Sequence, residues 1–192
     1  MELDQQENII AAPCNKYYSL ANLNKKKSGG ILALWCPHGI AVGFHMVPKA
    51  EGRNDVFSAI YTRWERAPKL VIYDYSCQLH VYCMRREPQF WHNTMFAVDS
   101  FHYSKSHRRC SEAYNMRFIA DIIPAYASVK DTSAEVGNSS LASIRKSIRY
   151  MGQRRAMAFI KLRLEILNRM KIKKMRKRMW LVGSGGHGGG VS

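Results

Sequence analysis

Two short apolar runs constrain the fold of this chain more than any other feature: KLVIYD at 69–74 and TMFAVD at 94–99. Each is nearly continuous in aliphatic or aromatic residues, and each closes on an aspartate. A strand without polar alternation must be covered on both faces, as in parallel sheets held between helices. The segments before both runs carry helical spacing. Val56, Ile60, Tyr61 and Trp64 share a face ahead of Pro68, with Asn54 or Asp55 as the expected N-cap. Cys77, Val81 and Met84 share a face ahead of Pro88. Upstream, ILALWC at 31–36 and IAVGFHMV at 40–47 flank a PHG turn and predict an antiparallel hairpin. The order β-β-α-β-α-β predicts an α/β layer.

The remainder predicts helices. Thr132 or Ser133 is placed to cap a helix running to about Tyr150, and Gly152 interrupts the chain before a long basic helix from about Gln153 to Met179. Met157, Ile160, Leu164 and Leu167 form its expected apolar stripe. The organisation expected is an irregular segment at 1–28, one core at 29–180, and a disordered glycine-rich tail at 181–192. Net charge is +16, and the stretch from Arg145 to Arg178, with 14 Lys or Arg and one acid, supplies +13 of it. A field this concentrated suits a polyanion, most often nucleic acid. A solvated basic helix, or a nuclear-import signal in KIKKMRKR, accounts for the same composition. No run reaches the ~18 apolar residues of a membrane span, and the N-terminus lacks the pattern of a signal peptide. An intracellular, nuclear protein is expected. Five irregularly spaced cysteines then predict thiols or a metal site rather than a disulfide framework.

Several residues have the chemistry of a site. Asp74 and Asp99 stand at predicted strand ends, where ligand sites gather in parallel sheets. Their carboxylates suit Mg²⁺ or Mn²⁺, and loop starts or helix caps explain them equally. The spacings Asp99-x-x-His102 and His107-x-x-Cys110 resemble those of metal ligands, with Cys77 a further ligand if its helix packs nearby. A polar loop with one buried cysteine is the alternative. Cys36 and His38 lie in CPHG, where a tight turn requires the Pro and Gly regardless. Glu135, in the first turn of a predicted helix, complements the helix dipole or joins Asp74 as a metal ligand. Nucleotide-binding glycine loops and the serine-hydrolase elbow are absent from the sequence.

Taken together, CPHGIAVGFHM, the long block from KLVIYDYSC through VDSFHYSKSH to CSEAYN, and SAEVGNSSLASIRKSIRYMGQ resemble the Kyakuja-Dileera-Zisupton (KDZ) transposases over about residues 29 to 170. The resemblance implies a ribonuclease H-like mixed sheet followed by long basic helices, and an Asp, Asp, Glu triad that binds Mg²⁺ or Mn²⁺ for DNA strand cleavage and transfer. By position Asp74 matches the second aspartate and Glu135 the glutamate. Asp99 and His102 match an accessory Asp/Cys-x-x-His signature; apart from the resemblance, the imidazole and thiolate types of His107, Cys110 and Cys77 suit zinc, which would hold the loop. Arg145, Lys146, Arg149, Arg154, Arg155, Lys161 and Arg163, on the helices after Glu135, would hold the DNA backbone.

The same resemblance implies a central first strand bearing the first aspartate. NIIAA at 8–12 ends without an acid and Asp4 precedes it, so the first strand is expected to be missing or atypical and the core truncated or decayed. Unpaired strand edges would then favour association into a homo-oligomer. Two other readings stand beside an active core: a non-catalytic nucleic-acid-binding derivative, and a basic protein that binds acidic partners or membrane surfaces.

Overall fold

The ILALW run forms strand β1 (Gly30–Trp35), which pairs antiparallel with β2 (Ala41–Val47), Gly30 opposite Val47 and Ala33 opposite Phe44. The computed structural model describes residues 30–47, 51–107 and 110–184. The expected readings of 1–28, NIIAA and Asp4 fall outside these residues. The hairpin turn is tight: Gly39 N–H donates to the Cys36 carbonyl at 2.8 Å and Cys36 N–H to that of Ile40 at 2.9 Å. Gly39 sits at φ 73°, a left-handed conformation that glycine adopts without steric cost.

β1 is apolar throughout because both its faces are covered. Leu32 and Leu34 pack against Val56, Phe57, Val71 and Leu79, while Ile31, Ala33 and Trp35 pack against Leu141, Ile148, Ile160 and Leu164. Helix α1 (Arg53–Tyr61) supplies Val56, Phe57 and Ile60 to the first cluster. Its N-cap is Gly52 rather than Asn54 or Asp55; Asp55, three residues in, reaches back to accept from Gly52 N–H at 2.9 Å. Strand β3 (Leu70–Ile72) follows, then α2 (Ser76–Arg86), the short α3 (Pro88–Trp91) and β4 (Met95–Ala97). The buried face of α2 is Ser76, Leu79, Tyr82 and Cys83, and Val81 is 47% exposed. The expected stripe through Val81 is therefore corrected: the two sets lie on nearly opposite faces of α2, and the packing of Leu79 and Tyr82 beside Phe57 sets which face is buried.

β3 and β4 pair in parallel, Val71 opposite Phe96. Among the described residues the strands form two separate two-stranded sheets, one antiparallel and one parallel, instead of one mixed sheet. Both lean on the layer made by α1 and α2. The opposite face of the parallel pair is covered by α5 (Met116–Ile122), which follows α4 (Ser100–Ser106) and packs Met116 and Ile119 against Ala97, Leu70 and Ile72.

The single helix expected from 132 to 150 is two: α6 (Ser133–Ser140) and α7 (Ala142–Tyr150). Gly137-Asn138-Ser139-Ser140 is a run of weak helix formers. The Ser139 and Ser140 hydroxyls donate to the carbonyls of Val136 and Gly137, diverting them from the helix ladder. Leu141, at the junction, is buried. Helix α8 (Gln153–Ser184) then crosses the hairpin. Its buried residues are Ala156, Ile160 and Leu164, with Leu167 half-buried; Met157 is 43% exposed, so Ala156 replaces it in the expected stripe. Asn168 pairs with β2 as a strand would, its amide accepting from Ala41 N–H and donating to the Ala41 carbonyl, both at 2.8 Å. The helix continues past the expected tail boundary to Ser184, and 185–192 lie outside the described residues. No described helix is long and apolar enough to cross a membrane.

Candidate active site

Asp74 and Asp99 are neighbours because β3 and β4 are. The two strands run parallel and in register, so the residues after their carboxyl ends emerge side by side. Tyr73 N–H extends the pairing by donating to the Ala97 carbonyl at 2.9 Å, and Asp74 then lies in the turn before α2. On the other strand, Val98 bridges to Asn115 and Asp99 becomes the N-cap of α4. The expected polar loop at 99–110 is thus largely a helix. One Asp99 oxygen accepts from Phe101 N–H at 3.1 Å and His102 N–H at 3.0 Å. This cap fixes the first turn of α4 and with it His102. Asp131, missed in the sequence, holds the same turn: its carboxylate accepts from the Ser100 N–H at 3.0 Å and hydroxyl at 2.9 Å. Thirty-one residues separate the two, so no local pattern marks the contact.

Glu135 arrives from a third element, α6. His102 Nδ1 lies 2.7 Å from Asp99, 3.5 Å from Asp74 and 3.9 Å from Glu135. Carboxylates from three parts of the chain therefore converge on one imidazole nitrogen. Asp99 is buried, whereas Asp74 and Glu135 are half exposed, at 49% and 50% for their side chains. Burial, and then the charge of Asp99, push the Asp74 carboxyl above its ordinary range against the opposing pull of His102. Burial would lower His102, but the Asp99 hydrogen bond and the charges of Asp74, Asp99 and Glu135 outweigh it and raise the imidazole. Excess negative charge on hard oxygen donors, open to solvent on one side, fits a divalent cation.

A second cluster begins three residues after Asp74. Cys77, in the first turn of α2, lies 3.7 Å from Cys110 sulfur to sulfur and 3.7 Å from His107 Nδ1; Cys110 to His107 is 3.5 Å. Two sulfurs on a tetrahedral zinc at about 2.3 Å each are about 3.8 Å apart, and a sulfur and a nitrogen about 3.6 Å. The three side chains thus already have the mutual spacing of zinc ligands. His107 is the C-cap residue of α4 and is buried, which lowers its imidazole pKa. Cys110 is set by its own N–H, which donates to the His107 carbonyl at 2.8 Å, and by the Tyr103 hydroxyl, which donates to its carbonyl at 3.1 Å. Burial first, and then Cys77 and Cys110, raise the Tyr114 phenol.

Cys36 and His38 lie outside both clusters, 3.9 Å apart in the exposed hairpin turn. Of the basic residues singled out, Arg145, Lys146, Arg154, Arg155 and Lys161 are exposed and Arg149 is half-buried. Arg163 has a structural contact, donating to the Ser140 carbonyl at the end of α6 at 3.3 Å.

Over residues 2–168 the sequence matches the Kyakuja-Dileera-Zisupton transposases. The chain belongs to the KDZ transposase family. No curated protein and no solved structure matches it. The KDZ match takes in the N-terminal stretch that showed no periodicity, both side-chain clusters, and α8 as far as Asn168, the residue that pairs with β2.

Proposed function

We propose that the chain is a ribonuclease H-like transposase core that cleaves and joins DNA strands at the carboxyl ends of β3 and β4. The observation that carries this reading is the convergence of Asp74, Asp99 and Glu135, from three separate elements, on His102. Asp74 and Glu135, with half-exposed oxygens, are the residues that would hold Mg²⁺ or Mn²⁺. When bound, such ions activate the attacking hydroxyl and stabilise the leaving oxygen in phosphodiester transfer. Asp99 positions: its oxygens fix both the first turn of α4 and the His102 ring. When protonated, His102 offsets the carboxylates it faces. Zinc on Cys77, His107 and Cys110 would hold α2 and α4 together beside the acids. The exposed bases of α7 and α8, Arg145, Lys146, Arg154, Arg155 and Lys161 with Arg149 behind them, hold phosphates without reading sequence.

A non-catalytic DNA-binding role is the second reading, and one observation favours it. Asp99 has both oxygens committed to α4 and His102, which leaves Asp74 and Glu135 as the open acids of this cluster. One experiment separates the two. Plasmid cleavage and strand transfer with Mn²⁺ is measured for the wild type, Asp74→Ala and Glu135→Ala. Activity in the wild type that both variants lose supports the catalytic reading. An inactive wild type that is folded and still binds DNA supports the second.

A further inference from the structure

Glu135 is the one acid of the cluster not carried by the parallel strands. It belongs to an eight-residue helix, too short to hold a position by itself. What seats that helix is the end of the hairpin. Ser133 Oγ donates to the Pro37 carbonyl at 2.8 Å, two residues before Glu135. Trp35 Nε1 donates to Asn138 Oδ1 at 3.1 Å, three residues after it. Between them Gly137 is buried with its Cα against the Trp35 indole, so close that a methyl group there would overlap the ring. Trp35 itself lies at the register shift of the β1–β2 ladder, where the strand bends out of regular pairing.

We propose that the β1 end and its CPHG turn are the seat of Glu135, with Trp35 and Asn138 acting as positioning residues for the divalent-cation site. The inference rests on the acid cluster being that site. It gives the CPHG motif a task that neither metal binding nor turn formation alone accounts for. The turn offers the Pro37 carbonyl, the strand offers the indole, and α6 offers a glycine small enough to approach it. Contacts on both sides of Glu135 limit rotation of the helix and sliding along its axis.

The test is Mn²⁺ affinity, read from the free-ion electron paramagnetic resonance signal, alongside thermal melting. Asn138→Leu removes the acceptor at an exposed position, so the variant folds. Its Mn²⁺ affinity is expected to fall about 10-fold or more, as for lost supports behind metal ligands, with the melting temperature nearly unchanged. Gly137→Ala is expected to lose affinity similarly by displacing α6, and Asn138→Asp, which keeps the acceptor, to retain it. Wild-type affinity in both Asn138→Leu and a folded Gly137→Ala would overturn the inference while leaving the acid cluster intact. A wild type that binds no Mn²⁺ would overturn the acid-cluster reading and this inference with it.

Discussion

His102 faces Asp74, Asp99 and Glu135 within 3.9 Å, so its protonation decides whether these groups repel or are balanced. Its pKa is raised above 6.5, which means that the folded state binds the proton more tightly than the unfolded chain. The associated stability is fully present below pH 6.5 and is lost as pH climbs through the raised value. His107 behaves oppositely: burial lowers it, and its contribution is lost as pH falls below 6.5. Around neutrality these two groups place the highest melting temperature of the metal-free protein near pH 6.5, and His102→Ala is expected to remove the decline just above that pH and leave the acid side in place. A melting curve that falls on the alkaline side equally in the variant would contradict the assignment. Asp74 makes a related point. Its carboxyl is raised, so ionisation costs stability in the absence of a cation. Asp74→Asn should slightly stabilise the metal-free fold, by less than about 1 kcal/mol because the group is half exposed and screened. The same change should abolish the Mn²⁺-dependent rise in melting temperature expected of the wild type.

The elements that carry the acids are joined by the second cluster. α2 starts just after Asp74 and holds Cys77; α4 is capped by Asp99 at one end and His107 at the other, with Cys110 following. A zinc ion on these three side chains would tie the two helices at the ends nearest the thiols and so brace Asp74 against His102. Zinc at about 100 times its dissociation constant should add about 2.7 kcal/mol of stability, several degrees of melting temperature for a domain this size. Cys110→Ser should remove that increment, and a chelator should remove it from the wild type. No zinc-dependent shift in the wild type would dismiss the metal centre. How far these elements could be read from sequence follows from how local their causes are. The hairpin, both parallel strands and the long helix were legible because unbroken apolar runs and helical periodicity are local patterns. The acids, histidines and cysteines that the fold brings into two clusters were legible by type and spacing. The break at Leu141 was less so, because it depends on serine hydroxyls taking carbonyls within a marginal helix. The buried face of α2 and the hold of Asp131 on α4 are set by partners far along the chain, which no window of sequence contains.

At the scale of the molecule, the clustered acids and the basic surface lie apart. The acids cluster at the ends of β3 and β4, while the bases crowd onto α7 and α8, which pack on the other side of β1 through Ile148, Ile160 and Leu164. The apolar face of α8 is occupied by the hairpin, so its bases are turned outward: Arg154, Arg155 and Lys161 are exposed, and the acid Glu165 is paired with Arg169 at 2.5 Å. Such a surface attracts any polyanion, and α8 also leaves Phe159, Leu162, Ile166 and Met170 partly exposed. Salt dependence separates a phosphate-tracking face from an apolar one. Six phosphate contacts, from Arg145, Lys146, Arg149, Arg154, Arg155 and Lys161, predict that log K for duplex DNA falls against log salt with a slope of about −5. Arg145→Gln with Lys146→Gln should flatten that slope by about 2 and weaken all DNA sequences alike. Arg163→Gln should change the slope least and stability most, because its guanidinium is spent on the Ser140 carbonyl that ends α6. An unchanged slope in the double variant would move the DNA path to the distal part of α8, where Lys171, Lys173, Lys174, Arg176, Lys177 and Arg178 carry the remaining charge.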